Sequence, residues 1–197
     1  MTQTVKSIIL GVLGLGAGAL LASAPALADP NPLCPVCHAD GNNTALPLYP
    51  KLAGLDPAYL TKQINDFKAG RRTNPVMDEI IKQLPDADIP ATVAYYSSQV
   101  RTADAVADKA LAAAGEQIFK HGIAAQAVPA CANCHNDDGS GTFRYPRLAG
   151  QHTVYLINQL TNLKSGDRHN DLGFMERVAV RLTDDQIKAV AEYISGL

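Results

Sequence analysis

Wherever the apolar positions of this 197-residue chain form a pattern, they fall at helical spacing. Leu60, Ile64 and Phe67 make one stripe, opened by Asp56 as a cap with Pro57 in the first turn and closed by Gly70. Leu156, Leu160 and Leu163 repeat that stripe ahead of Gly166. Ile187, Val190 and Ile194 mark a closing helix that starts at a Thr183/Gln186 capping box, and Ile89, Val93 and Tyr96 mark its counterpart. Ala107 to Lys120 is also helix-prone, with Gly115 and Phe119 placed to meet Tyr193. The sequence has no alternating strand pattern of useful length, so the expected fold class is all-α.

The matching stripes belong to an internal duplication. Tyr49-Pro50-Lys51-Leu52-Ala53-Gly54 recurs as Tyr145-Pro146-Arg147-Leu148-Ala149-Gly150, and Tyr59, Leu60 and Gln63 match Tyr155, Leu156 and Gln159. Gly70, Arg72, Ile89 and Tyr95 match Gly166, Arg168, Ile187 and Tyr193, with an offset that drifts only between 96 and 98. Two homologous domains are expected, 29–100 and 106–197, joined by a linker over 101–105. The second has the leading helix-prone stretch and the first does not, so its Tyr95/Tyr96 face needs another cover, the linker or the other domain.

Residues 1–28 read as an export signal. Lys6 is followed by an apolar, Gly-rich run, Pro25 breaks it, and Ala26-Leu27-Ala28 offers a small-x-small site for cleavage before Asp29. A retained membrane anchor is the alternative. From Asp29 onward the chain carries 16 basic and 19 acidic side chains. That balance leaves no basic footprint for nucleic acid. Aromatic residues make up 6% and tryptophan is absent, so the chain by itself has little to fill a large core.

The candidate chemistry lies in Cys34-Pro35-Val36-Cys37-His38 and its echo Cys131-Ala132-Asn133-Cys134-His135, which together use every cysteine. C-x-x-C-H is the attachment pattern of c-type haem. Two thiols on one turn can add to the two vinyl groups along one porphyrin edge, and the following imidazole can reach the iron. A four-thiolate zinc site would want the pairs about 15–20 residues apart; 93 residues separate Cys37 from Cys131, and zinc gives no reason for the two histidines. A thioredoxin-like redox pair would want a βαβ pattern nearby. Two covalently attached haem c groups are expected, with cysteines 34, 37, 131 and 134 as attachment points and His38 and His135 as iron ligands. The porphyrins supply the apolar mass that the composition lacks.

Apart from Met1 the chain has two methionines, Met77 and Met175, which follow their motif histidines by 39 and 40 residues. A core methionine is ordinarily filler, but one per motif, in register, points to axial ligation, which raises the potential because a soft thioether favours ferrous iron. His169 lies near Met175 as a weaker competitor; His121 and His152 read as surface or capping groups. Pro50 and Pro146 can offer carbonyls to the second imidazole nitrogen. Arg72 and Arg168 are either partners of haem propionates or solvated surface charges.

Taken together, the doubled run of C-x-x-C-H, Tyr-Pro-(Lys/Arg)-Leu-Ala-Gly, Tyr-Leu-x-x-Gln, Gly-x-Arg and a late methionine resembles the dihaem cytochromes c of the c4 type over residues 31–197. The resemblance implies two tandem class I cytochrome c domains packed about a pseudo-twofold axis. It implies a periplasmic, often membrane-associated electron carrier rather than an enzyme, with a quinol-oxidising respiratory complex as donor and a terminal oxidase or reductase as acceptor. A cytochrome subunit of a dehydrogenase complex is the alternative. The haem of His38 and Met77, having less cover, is expected at the lower potential.

Overall fold

The computed structural model describes residues 30–39 and 46–197. The expected export signal, 1–28, lies outside the described residues. Among those described, the first half contains α1 (Cys34–His38), α2 (Pro57–Lys68), α3 (Pro75–Ile81) and α4 (Ile89–Ser98). The second contains α5 (Lys109–His121), α6 (Ala132–His135), α7 (Thr153–Ser165), α8 (Phe174–Ala179) and α9 (Asp184–Ser195). An isolated bridge between Ile123 and Val128 is the one β feature of the described residues. The all-α expectation holds.

The boundaries follow from side-chain chemistry. The Asp56 carboxylate accepts the amides of Ala58 (2.8 Å) and Tyr59 (3.1 Å), satisfying donors that the first turn of α2 leaves without helical partners. α7 ends where Gly166 turns left-handed at φ 84°. Thr183 and Gln186 form the predicted box at the start of α9. Each half then buries its own cluster, Leu55, Leu60, Ile81, Ile89 and Val93 in the first, and Phe119, Leu156, Leu182, Ile187 and Val190 in the second.

The halves differ at the closing helix. α5 crosses α9 at Gly115, where an added Cβ would sit 1.9 Å from the Ala189 carbonyl oxygen, so only hydrogen fits. Phe119 meets Tyr193 there with ring centroids 5.4 Å apart. In the first half, α4 packs among the described helices only on α2 and on the short turn over Asp86–Asp88. The replacement cover is local. Tyr95 packs edge-on against Tyr96 at 5.1 Å, and Asn31 ties the chain before α1 to Asp88 (3.0 Å) and Thr92 (3.2 Å).

Between the halves runs a reciprocal clamp. Arg72 donates to Gln63 Oε1 of its own half (2.7 Å) and to Tyr155 Oη and Gln159 Oε1 of the other (both 3.0 Å). Arg168 donates to Gln159 Oε1 (2.8 Å) and crosses back to Tyr59 Oη (3.2 Å). Burial acts to raise the Tyr59 phenol, but Arg168 and Arg72 outweigh it and hold the group below its usual value. Reading these arginines as solvated surface charges is therefore wrong: both are half-buried and hydrogen-bonded across the interface.

A second tie runs through the stretch expected to be a linker. Lys51, 2% exposed, donates through Nζ to Asp104 Oδ1 (2.5 Å) and the Thr102 carbonyl (3.2 Å), and Asp104 Oδ2 lies 2.6 Å from His152 Nδ1. Gln151 accepts the Lys51 amide (2.9 Å) and donates to the Lys51 carbonyl (3.0 Å), while Arg147 reaches the Ala53 carbonyl. His152 is thus neither a surface group nor a side-chain cap. It sits at the N-cap position of α7 with no capping bond from its ring, buried against Asp104.

Two outcomes test this packing. Gly115→Val must push α5 off α9 and should cost about 3 kcal/mol or more in guanidinium unfolding of the holoprotein. Asp104→Asn leaves the Lys51 ammonium without its counter-charge and should cost about 1–3 kcal/mol, discounted from a fully buried pair because Asp104 is one-third exposed. Burial acts to raise the Asp104 carboxyl, but hydrogen bonds from Lys51 and His152 outweigh it and hold it below the ordinary range. The sign follows: this stabilisation is full above the unfolded carboxylate value of about 3.9 and is lost as pH falls through the lower folded value. Acid titration of the unfolding midpoint should show that loss in the native protein and not in Asp104→Asn.

Candidate haem sites

Each C-x-x-C-H motif folds as a short helix, so its two cysteines and its histidine share one turn. The α1 and α6 turns bury their histidines to 8% and 4% exposure, while the cysteines stay partly or largely accessible. Residues just past the motifs, Ala39 and Asn136, take φ of 58° and 66°, which ends each turn at its histidine. Among the described residues no three His, Cys, Asp or Glu side chains gather into a metal-binding group, so the two cysteine pairs stay with their own halves instead of forming one four-thiolate site.

The imidazoles are oriented by the carbonyls anticipated from the Tyr-Pro turns. His38 Nδ1 lies 2.9 Å from the Pro50 carbonyl oxygen and His135 Nδ1 lies 2.8 Å from that of Pro146. Since a carbonyl can only accept, Nδ1 carries the proton and Nε2 keeps its lone pair. Burial pushes both histidines below their usual range, against the opposing pull of those carbonyls, so both rings are neutral. A neutral imidazole with a fixed tautomer is the form that ligates iron. Burial also pushes the Cys131 thiol up to about 11 and raises that of Cys34, the opposite of the depressed thiols of redox C-x-x-C pairs.

The residues fit a haem in each half. His135 Nε2 is buried with no hydrogen-bond partner, an orphan that a metal bond would satisfy. In front of it, and of His38, lies one continuous cavity of about 1540 Å³. Single drug-sized ligands occupy roughly 300–1,000 Å³, so the space exceeds one ligand. Cys34, His38 and Met77 line one end, and Cys131, Cys134, His135 and Met175 the other. Arg147 Nε is also buried at the cavity wall without a partner, and burial lowers that guanidinium to about 10.

The two methionines stand in matching places on short helices that periodicity alone did not reveal. Met77 is in the first turn of α3, where Asn74 Oδ1 accepts its amide at 3.1 Å. Met175 is in the first turn of α8, and Asp171 Oδ2 accepts its amide at 2.6 Å. His169 is exposed and spends Nδ1 on the Gly166 carbonyl at 3.1 Å, and His121 is exposed at the end of α5. The clamp residues Arg72, Arg168, Tyr59, Tyr155, Gln63 and Gln159 line the same cavity.

Comparison with known proteins agrees with this geometry. The family model described as Cytochrome c matches residues 112–197. Cytochrome c4 of Pseudomonas aeruginosa is 41% identical over 170 residues, which are 84% of each chain. The crystal structure of reduced recombinant cytochrome c4 from Pseudomonas stutzeri superposes with a TM-score of 0.80 at 38% identity, covering 84% of this chain and 94% of that one. A thiosulfate dehydrogenase electron acceptor of Thiomonas intermedia is 36% identical over 201 residues, spanning all of this chain and 91% of its own. With two C-x-x-C-H turns, two proline-oriented imidazoles and a cavity large enough for two porphyrins, this chain belongs to the cytochrome c4 family, electron-transfer cytochromes with two covalently bound haem c groups.

Proposed function

We propose that the chain carries single electrons in the periplasm, taking them from a quinol-oxidising respiratory complex and delivering them to a terminal oxidase or reductase. In this reading cysteines 34 and 37 and cysteines 131 and 134 hold the two haems, with His38 and Met77 as axial ligands in one half and His135 and Met175 in the other. When bound, each haem supplies one-electron storage at iron. The observation that carries the reading is the paired placement of Met77 and Met175, each on a capped turn and each facing the cavity that its motif histidine faces. Two side-chain ligands per iron leave no open position for a substrate, which is the requirement for a carrier. The segment 1–28 acts as the export signal, and 29–100 and 106–197 as two haem domains around the 101–105 stretch. No helix among the described residues is long and apolar enough to cross a membrane.

A second reading, an electron-accepting cytochrome subunit of a dehydrogenase, is supported by the relatives named thiosulfate dehydrogenase electron acceptor. The two differ in the donor. Reduction of the purified protein by isolated membranes supplied with a quinol supports the first, whereas reduction only after a dehydrogenase and its own substrate are added supports the second.

Met77→Ala and Met175→Ala should each abolish the ferric methionine–iron charge-transfer band of one haem, leave the other intact and lower the potential of the altered site; an unchanged spectrum in both variants removes the axial assignment. The two potentials should also differ. Arg71 replaces Asp167 of the second half; it pairs with Asp66 at 2.8 Å, but Lys62 shares that carboxylate and the second half has Asn158 and Asn162 at these positions, so the first half keeps the more positive charge, which acts to raise its potential. The Arg71 side chain is 61% exposed and screened by solvent, so the poorer helical cover of the first half governs, because water stabilises ferric iron. Site-resolved NMR during a redox titration should find the His38 haem reduced after the His135 haem.

A further inference from the structure

The two methionine turns are held in different ways. Met77 follows Arg72 by five residues, whereas Met175 follows Arg168 by seven. The shorter route closes on itself. Asn74 Oδ1 accepts the amides of Val76 and Met77 (both 3.1 Å), and the Asp78 carboxylate accepts the Asn74 amide (3.1 Å). The longer route is strained: Leu172 takes φ of 62° ahead of Gly173 at 74°, and a left-handed leucine crowds its Cβ against the backbone. Leu172 is 88% exposed, so its side chain finds little packing to hold that shape. Inside the loop, Asp171 accepts the amides of Gly173 (3.0 Å) and Met175 (2.6 Å). The other support comes from the first half, at Asn170.

Three residues of α2 grip Asn170. Its Nδ2 donates to Gln63 Oε1 (3.0 Å) and Asp66 Oδ2 (2.7 Å), and Lys62 Nζ donates to its carbonyl (2.6 Å). Its Oδ1 accepts from Arg168 Nε (3.1 Å). Asp66, 3% exposed, is itself held by Lys62 and by Arg71 Nε (2.8 Å). The grip is not returned. At the positions of Lys62 and Asp66 the second half has Asn158 and Asn162, and among the described residues no hydrogen bond joins residues 73–77 to the second half.

We infer that Lys62 and Asp66 are positioning residues for Met175: through Asn170 the first half holds the methionine turn of the second, while Met77 is placed by its own half. The inference rests on the ligation reading above, in which Met175 is an axial ligand. A carboxylate accepting from an amide and an ammonium donating to a carbonyl are charge-assisted bonds, stronger than neutral ones. The burial of Asp66 keeps water from competing for them. Without this anchor the strained turn is free to relax, and the Met175 sulfur leaves the place its turn gives it. The coupling runs one way. Loosening the contact between the halves disturbs ligation in the second and leaves that of the first intact.

The test is the holoprotein carrying Lys62→Asn together with Asp66→Asn, which copies the residues of the second half and leaves the net charge unchanged. Site-resolved NMR separates the two haems. The ferric methionine–iron band of the His135 haem should weaken or vanish and its potential should fall, while the His38 haem keeps both. The Met175 amide should exchange with deuterium about tenfold or more faster than in the native protein. Asn74→Ala should do the reverse, weakening the band of the His38 haem alone. Lys62→Met removes the bond to the Asn170 carbonyl and leaves Asp66 with Arg71; it should give a smaller change of the same kind, and it decides the matter if the double variant does not fold. An unchanged band and potential at the second haem overturn the proposal. So does an equal loss at both haems, which is a general loosening of the interface. If Met175→Ala keeps the band, the ligation reading falls, and faster exchange at the Met175 amide in the double variant still upholds the anchor.

Discussion

In both halves a buried imidazole donates its Nδ1 proton to a proline carbonyl, His38 to Pro50 and His135 to Pro146. Taking a histidine out of water favours its neutral form, and the carbonyl decides which nitrogen keeps the proton. The lone pair of Nε2 is then available on the cavity side, and the motif turn sets where it stands. The helices serve that arrangement. Each half brings its C-x-x-C-H turn, its Tyr-Pro turn and its methionine turn to one end of a cavity that the side chains leave open. A chain poor in aromatic residues can support this because the porphyrins occupy the space that a larger apolar core would otherwise fill.

The interface turns two such units into one electron-transfer body. Arg72 reaches Tyr155 and Arg168 reaches Tyr59, so each half supplies the donor for a phenol of the other. The same four side chains, with Gln63 and Gln159, line the one cavity that both motif histidines line. Buried charge is costly unless paired or hydrogen-bonded, and here satisfying it demands the other half. The Lys51–Asp104–His152 tie has the same logic: an ammonium with 2% exposure finds its counter-charge in the connecting stretch, which is thereby held against both halves.

Duplication did not leave the halves alike. α5 crosses α9 through a glycine contact that has no described counterpart on α4, where Tyr95 turns onto Tyr96 instead. At the cavity mouths, equivalent positions hold Leu48 and Glu79 on one side and Arg144 and Arg177 on the other. The buried scaffold repeats while cover and surface charge diverge, which gives the two haem sites different environments and the chain two different faces.

Local chemistry was legible in the sequence wherever a short stretch determines its own geometry. The C-x-x-C-H turns, the Asp56 and Thr183 caps and the Gly166 terminus depend on spacing over one or two turns, while the Tyr-Pro carbonyls and the register of the two methionines were legible because the duplication repeats them. The α5–α9 contact was legible too, because Gly115 is the residue that close backbone approach requires. The short helices α3 and α8 were not, since six or seven residues are too few to show a period. Nor was the fate of Arg72, Arg168, Lys51 and His152 visible. Each is polar and sits beside residues that look exposed, and whether its charge meets water or a partner is decided by groups from 48 to 109 residues away. Hydrogen bonds over that separation leave no periodic trace along the chain; only the packing of one half on the other decides them.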